Sequence, residues 1–275
     1  MAQDRPLNPS ELLSVLDWYR AAGVDVAVGE EPVNRFAQRP PVRPAEVPAA
    51  ASESRAPVQG LAEAAPAAQP AFVTDPGEAR GLAATAQTLA ELEAIVGAYD
   101  GCGLKLRATQ LCFADGNPQA QIMLIGEAPG AEEDRQGKPF VGKSGQLLDR
   151  MLAAIGLDRT KVYIANTVPW RPPGNRTPTP EELATCLPFL HRQVELVAPK
   201  VILTLGGPAM QTVFNTTIGI LKMRGRWSEL TVGAHGVEAM PTLHPAYLLR
   251  NPAAKQQAWR DMLSLRMKLD ALGIG

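Results

Sequence analysis

The sequence predicts an α/β fold of three layers, in which helices cover both faces of a central, mostly parallel sheet of four strands. Short, nearly continuous apolar runs alternate along the chain with segments that carry apolar residues at helical spacing. Strands that are apolar along their whole length are typical of a sheet buried on both faces. The alternation of strands and helices indicates parallel strands joined by right-handed crossovers.

The four predicted strands are QIMLIG (121–126), KVYIAN (161–166), KVILTLG (200–206) and VEAMPTL (237–243). Helical spacing predicts helices around and between them, in ATAQTLAELEAIVGAYDGC, SGQLLDRMLAAIG, PEELATCLPFLHRQVELVA, GPAMQTVFN and AAKQQAWRDMLSLRMKLDAL. In folds of this class, ligands bind beyond the carboxyl ends of the strands. The segments that follow the predicted strands are therefore the first place to look for a functional site.

Composition divides the chain into three regions. Residues 1–37 contain one predicted amphipathic helix, NPSELLSVLDWYRAAGV, which we interpret as a docking element for a protein partner. Residues 38–83 are rich in Ala and Pro and cannot bury enough apolar surface to offset the entropy of ordering, so we predict a disordered linker. Residues 84–275 are predicted to form one folded domain.

Composition also narrows the class of protein. Hydrophobic residues make up 45% of the chain, but no uninterrupted apolar stretch is long enough to span a bilayer. The first residues lack the basic start and apolar core of a secretory signal. We therefore expect a cytoplasmic, monomeric protein without membrane insertion, in which the three cysteines are reduced.

The net charge of −1 hides an asymmetry. Residues 1–80 carry seven arginines, no lysine and eleven acidic residues, whereas residues 81–275 carry 20 basic and 17 acidic residues. A mildly basic domain is compatible with nucleic-acid binding but does not establish it.

The segment GEAPGAEEDRQGKPFVGKSGQLLD follows the first predicted strand. Its glycines permit tight turns and close approach of a ligand to the backbone. It matches neither GxGxxG nor GxxxxGK[ST], so a nucleotide-cofactor site is poorly supported. A glycine-rich connection without a binding role is the alternative.

Three side chains could belong to a site. Asn166 ends the second strand with an amide that both donates and accepts hydrogen bonds, and His244 follows the fourth strand and can stabilise developing negative charge. Phe140 could stack on a ligand ring or pack in the core. Each residue alone has an ordinary structural explanation. The GEAPG segment, Asn166 and His244 nevertheless fall at the carboxyl ends of three separate strands, which favours one common site.

Four blocks carry a family resemblance: GEAPGAEEDRQGKPFVGKSGQLLDRML, VYIANTVPWRPPGNRTPTPEE, LTLGGPAM and HPAYLLRNP. In this order they resemble the uracil-DNA glycosylase superfamily, specifically its family 4 type, from about residue 84 to the end. The resemblance implies a DNA-repair enzyme that flips uracil out of single- or double-stranded DNA and hydrolyses its N-glycosidic bond, leaving an abasic site. It does not extend to the residues before 84.

The resemblance also implies roles for individual residues. Phe140 is expected to stack on the flipped uracil, Asn166 to read its polar edge and His244 to contact its O2 atom. Glu127 and Ala128 belong to the loop whose backbone approaches the base.

The residue that positions the attacking water is left open. Ala128 stands where better-known branches of the superfamily have a water-activating Asp, and Glu133 is expected either to position water or to exclude the methyl group of thymine. Catalysis then relies chiefly on electrostatic stabilisation of the departing uracil anion, which requires no metal.

The DNA-binding residues follow from the same resemblance. Leu248 and Arg250 match the loop that wedges into the duplex where the base has left. Five further residues of the matching loops are expected to hold phosphates: Lys143, Ser144, Arg171, Arg176 and Arg224.

The chain departs from the family at the positions of an iron–sulfur cluster. Family members of this type usually hold four irons with four cysteines, but here Tyr99 and Trp170 stand at two of the four positions, and Cys102 and Cys186 at the others. Two thiolates cannot hold such a cluster. We therefore expect no cluster and no other cofactor, with packing of the two aromatic rings in its place; exposed rings in a looser region are the alternative.

Three other functions remain open at this point. The domain could be a catalytically inert DNA-binding module of the kind associated with polymerases, or a glycosylase of the same fold with another base preference. Covalent capture of uracil by an inserted basic loop is disfavoured, because RQGKPFVG contains no such insertion.

Overall fold

The computed structural model of the protein describes residues 76–274. Its helices are α1 (Pro76–Thr85), α2 (Leu89–Ala98), α3 (Ala131–Gln136), α4 (Lys143–Ala153), α5 (Pro180–Val197), α6 (Gly207–Val213), α7 (Ile220–Met223), α8 (Pro245–Arg250) and α9 (Lys255–Ala271). Its strands are β1 (Asp115–Gly116), β2 (Ile122–Gly126), β3 (Tyr163–Asn166), β4 (Val201–Leu205), β5 (Ser228–Val232) and β6 (His235–Thr242). None of these helices combines the length and the apolarity that crossing a bilayer requires.

The sheet has six strands in the order β1-β3-β2-β4-β6-β5. The four central strands are parallel to one another and are the four that the apolar runs predict. The prediction of a four-stranded sheet is wrong at the edges, where β1 and β5 pair antiparallel to their neighbours. Neither edge strand has a continuous apolar run, because β1 is two residues long and β5 (SELTV) alternates between more and less buried positions.

Both faces of the sheet are buried, as the three-layer prediction requires. Alternate residues of β2 show the division: Leu124 packs on one side with α4 and α9, and Met123 packs on the other side with α5. The helix contributions to the first side include Leu148, Leu152, Met262, Leu265 and Leu269. Every residue of β2 and β4 is buried, so these two strands form the centre of the domain.

The carboxyl ends of the four parallel strands lie level with one another. Gly126 of β2 is opposite Asn166 of β3, and Leu205 of β4 is opposite Thr242 of β6. The segments that leave these strands therefore meet at one edge of the sheet, and this register determines where a ligand can bind.

The predicted boundary at residue 84 needs correction. Helix α1 begins at Pro76, packs on α5, and buries Ala79 and Ala83 in a cluster that includes Phe189. Residues 76–83 therefore belong to the folded domain, because their small side chains let two helices approach closely. The predicted N-terminal helix and the rest of the predicted linker lie outside the described residues.

A truncation tests this boundary. A chain that starts at residue 87 should be less stable than one that starts at Pro76, by at least about 2 kcal/mol, because losing α1 uncovers apolar surface on α5. Urea unfolding of the two chains measures the difference. Equal free energies of unfolding would return the boundary to residue 84.

Candidate active site

A cavity of about 660 Å³ lies at the carboxyl edge of the sheet. It brings together all six residues that were expected to bind the substrate or act on it: Glu127, Ala128, Glu133, Phe140, Asn166 and His244. Three residues expected on the DNA side also line it: Ser144, Arg176 and Arg250. Arg171 is not part of the wall, but it donates a hydrogen bond to Asn175, which is. The rest of its wall includes Gly206, Pro208, Ile220, Leu221 and Tyr247.

The Glu133 carboxylate connects two segments of the cavity wall. One oxygen accepts a hydrogen bond from the backbone N–H of Gly130 at 3.1 Å. The other accepts from the N–H groups of Val141 at 3.0 Å and Gly142 at 2.9 Å. Three backbone donors thus satisfy a buried carboxylate, as a buried charge requires. Glu133 thus joins two segments of the cavity wall, and backbone donors take three of the roughly four acceptor positions of its carboxylate.

Phe140 sits in a constrained backbone conformation. Its φ of 55° is in the left-handed region, which is unfavourable for a bulky residue and tends to occur at functional sites. Arg159 donates a hydrogen bond to the carbonyl of Phe140. Gly145 leaves room for that oxygen, because a Cβ on Gly145 would come within 1.7 Å of it. Sequence reasoning missed Arg159, whose guanidinium also binds Asp115 at 2.6 Å.

The ring of Phe140 lies against the floor of the cavity. Its centroid is 5.4 Å from that of His244, and the two planes are inclined by 30°. A side chain on Gly126 would come within 2.7 Å of this ring and 2.4 Å of the Asn166 Oδ1 atom. Glycine at the end of β2 therefore allows the ring and the amide to approach each other.

Asn166 is buried, and its Oδ1 atom has no hydrogen-bond partner among residues 76–274. A buried polar atom without a partner costs about 1–3 kcal/mol, so a hydrogen-bond donor that reaches this oxygen is favoured. An amide presents one acceptor and two donors at its edge. It therefore matches a ligand that has a carbonyl and an N–H side by side.

His244 caps the N-terminus of α8, where its Nδ1 atom accepts a hydrogen bond from the N–H of Ala246 at 3.0 Å. In the neutral ring the proton is therefore on Nε2, which can donate into the cavity. Burial, together with the charge of Arg250, lowers the pKa of His244 to about 4, although Glu133 acts in the opposite direction. His244 is thus a neutral donor at pH 7.

Glu127 and Ala128 begin the loop that leaves β2. The Glu127 carbonyl accepts a hydrogen bond from the Thr167 hydroxyl at 2.6 Å, which ties this loop to the end of β3. Burial raises the pKa of the Glu127 carboxyl, and a hydrogen bond with Thr177 partly reverses the shift. Ala128 packs against the neighbouring apolar cluster and also lines the cavity.

The predicted phosphate ligands differ in whether their charged groups already have a partner within the protein. Lys143 is exposed at the start of α4, and neither it nor Arg250 forms an ion pair within the described part of the chain. Arg176 forms a two-pronged pair with Glu182, at 2.8 and 2.6 Å, and Arg171 donates to Asn175 at 2.7 Å. Lys143 and Arg250 are therefore the cations best placed to meet an external anion.

The predictions for Arg224 and Leu248 require correction. The Arg224 guanidinium binds buried Asp261 at 3.0 Å and the carbonyl of Gln257, so it holds α7 against α9 and is not available to a phosphate. Leu248 is 1% exposed and packs in a cluster with Leu243, Ala254 and Ala258. A buried core residue cannot wedge into a duplex.

A second cluster, outside the cavity, contains the four positions at which the family resemblance implies cysteine ligands. Tyr99, Cys102, Trp170 and Cys186 are all buried there, and the Tyr99 ring meets Phe189 edge-on at 5.1 Å. The two aromatic rings are thus packed, and the alternative of exposed rings is wrong. The Cys186 thiol donates to the Cys102 sulfur at 3.6 Å, and this contact together with burial raises the pKa of Cys186.

Several known proteins are similar to this chain in sequence. The sequence profile of the uracil DNA glycosylase superfamily matches residues 113–263. A type-4 uracil-DNA glycosylase of Thermotoga maritima is 45% identical over 151 residues, which cover 54% of this chain and 77% of the relative. One of Archaeoglobus fulgidus is 42% identical over 166 residues, covering 58% and 82%. A DNA polymerase of Bacillus phage SP01 is 30% identical over 156 residues, covering 56% of this chain and 16% of the polymerase.

The structural role of Glu133 predicts the effect of a conservative substitution. Glu133→Gln should lower the free energy of unfolding by about 2–3 kcal/mol, because an amide cannot accept from all three backbone donors and hydrogen bonds to a charged group are strong. Its neighbour provides the control: Glu132 pairs with Arg135 at the surface, so Glu132→Gln should change stability by less than about 1 kcal/mol. Urea unfolding compares the two, and equal small effects would contradict the role of Glu133.

Proposed function

This chain belongs to the uracil-DNA glycosylase superfamily and, within it, to the type-4 uracil-DNA glycosylases, and we propose that its cavity excises uracil from DNA. The enzyme hydrolyses the N-glycosidic bond and leaves an abasic site. The observation that carries the assignment to this cavity is the convergence of an aromatic ring, an unsatisfied amide and a neutral imidazole donor in one space.

The three side chains suit the three surfaces of a flipped uracil. The Phe140 ring offers a face on which the base stacks. Asn166 accepts from N3–H and donates to O4, which supplies its missing partner. The base thereby completes a site that is otherwise unsatisfied, and this favours an extrahelical uracil over an empty pocket.

His244 acts on the departing base. When the C1′–N1 bond breaks, its electron pair moves onto uracil and the sugar gains oxocarbenium character. The Nε2–H of His244 donates to O2, where negative charge accumulates, and it does so without first losing a proton because the ring is neutral. Water then adds to C1′ and releases a proton, which balances the uracil anion.

Of the two acidic residues that line the cavity, Glu127 is the better placed to orient this water. The Glu133 carboxylate already accepts three hydrogen bonds from backbone N–H groups, so we assign Glu133 a positioning role in place of the water-binding role expected from the resemblance. Glu127 faces the cavity with a carboxyl whose pKa is raised by burial. Its carboxyl group can form a hydrogen bond with water in either protonation state.

Lys143 and Arg250 lie beside the cavity and would bind phosphates on the two sides of the flipped nucleotide. We propose that the protein acts as a monomer. The protein would meet its DNA substrate in the cytoplasm, on the chromosome.

The iron–sulfur positions do not fit a cluster. Two thiols in hydrogen-bond contact and two buried aromatic rings are the groups present, and no group of three or more metal-binding side chains occurs within residues 76–274. A four-iron cluster takes four ligands. We propose that aromatic packing here connects the segment around Cys102 with the loop around Trp170 and that the enzyme works without the cluster.

Two competing functions make different predictions for the same assay. An inert DNA-binding module would leave uracil-containing strands intact, and a glycosylase with another preference would cut at hypoxanthine or at mismatched thymine instead. The free amide of Asn166 and the neutral donor of His244 favour turnover on uracil.

Single-turnover excision tests the proposed function. Purified protein is incubated with uracil-containing single- and double-stranded oligonucleotides, then alkali reveals strand scission at the uracil. Asn166→Ala and His244→Asn should each lower the rate at least about tenfold, since loss of one preorganised donor typically costs about 100- to 1000-fold. Asn is chosen at residue 244 because it retains an N-cap acceptor for α8.

His235 provides a matched control. Its ring contacts the Pro199 carbonyl at 2.8 Å, away from the cavity, so His235→Ala should excise uracil at the unaltered rate. Full activity of either cavity variant would contradict the role of that residue, and absence of excision by the unaltered protein would refute the function itself.

The absence of a cluster has its own test. The anaerobically purified protein should be colourless, without stoichiometric iron or sulfide, and should keep its activity in chelators. Trp170→Ala should destabilise it by about 3–5 kcal/mol, because the ring is 2% exposed, whereas Trp259→Ala, at 43% exposure, should have a small effect. Stoichiometric iron would overturn this proposal.

A further inference from the structure

The burial of Leu248 leaves the duplex without its expected wedge. When a base flips, the gap in the stack has to be filled or the neighbouring bases collapse into it, and proteins commonly insert an apolar side chain there. Leu248 is committed to the core of the α8 region and cannot do this. Another apolar side chain beside the cavity is therefore the candidate for this role.

Leu221 is an apolar side chain in the required place. It lines the cavity, yet 67% of it is exposed to water. A single exposed leucine is ordinary on a protein surface. Here, however, the exposed side chain belongs to the cavity wall, so it lies where the cavity meets solvent.

The short helix α7 holds Leu221 firmly. Ile220, the preceding residue, turns inward and packs against the cluster that contains Leu248. Arg224, just after the helix, binds Asp261, and the N–H of Gly225 donates to the carbonyl of Pro241 at 2.8 Å. The wedge would thus be presented by a fixed element, and little ordering would be needed when DNA binds.

We propose that Leu221 enters the duplex at the position that the flipped uracil vacates, and that α7 is the element that senses double-stranded DNA. The inference rests on the proposed function. Lys222, the next residue, is exposed, and Arg250 belongs to the same cavity wall as Leu221, so both place positive charge in the neighbourhood of this apolar side chain. Such an arrangement suits a base step with its two flanking phosphates.

Leu249 is the competing side chain. It follows the buried Leu248 on α8 and is 41% exposed, but it is not part of the cavity wall. Leu221 and Leu249 can therefore be compared directly by the same substitution, with Leu263 on the outer face of α9 as a remote exposed leucine.

The test compares excision from duplex and single-stranded oligonucleotides that carry the same uracil. A wedge matters only where a stack has to be kept open, so Leu221→Ala should lower the duplex rate at least about tenfold more than the single-strand rate. Leu221→Met should restore the duplex rate, because it is apolar and of similar size. Leu249→Ala and Leu263→Ala should retain the duplex-to-single-strand ratio of the unaltered protein.

A fluorescent 2-aminopurine placed beside the uracil reports the open stack independently. Its fluorescence should rise when the unaltered protein or Leu221→Met binds. The fluorescence with Leu221→Ala should be lower than with the unaltered protein. The proposal would be overturned if Leu221→Ala lowered the excision rate equally on both substrates. It would also be overturned if Leu249→Ala, and not Leu221→Ala, lowered the rate on duplex DNA alone. If the unaltered protein excised uracil from single-stranded DNA but not from duplex DNA, the proposal would also be overturned. If it excised uracil from neither substrate, both the proposed function and this inference would be refuted.

Discussion

The cavity depends on one buried carboxylate. The Glu133 carboxylate accepts hydrogen bonds from the N–H groups of Gly130, Val141 and Gly142. It thereby joins the loop after β2 to the segment that carries Phe140. A buried charge with three strong donors is costly to separate from them. The strained backbone of Phe140 can persist because this contact and that of Arg159 hold it from both sides.

The sheet supplies the rest of the geometry. Because β2, β3, β4 and β6 end level with one another, the backbone places the GEAPG loop, Asn166 and His244 around one space before any ligand arrives. Catalysis by stabilisation of an anion needs this preorganisation more than it needs reactive groups. The Asn166 oxygen has no hydrogen-bond partner among residues 76–274, and in the proposed complex uracil supplies one.

Sequence reasoning reached the four parallel strands and all six residues of the cavity that it assigned to the substrate, because continuous apolar runs and strand-end motifs are local signals. It missed what depends on partners far along the chain. Arg224 was assigned to phosphate although Asp261, 37 residues away, binds it. Leu248 was assigned to the duplex because the family motif does not reveal which side of a short helix faces the core, and the fold turns Leu248 inward and Leu249 outward. The small residues of α1 have the same composition as the predicted linker, and only their packing on α5 distinguishes them from it.

The protonation state of His244 tests the central claim most directly. Nitrogen NMR of the labelled protein across pH 3–8 should show a neutral ring with its proton on Nε2 and a pKa of about 4, so that only about one molecule in a thousand is protonated at pH 7. The signal of His244 is identified by its absence from His244→Asn. A pKa above about 6, or a proton on Nδ1, would mean that the ring meets the base as a cation or without a donor, and would contradict catalysis by a neutral, preorganised hydrogen bond.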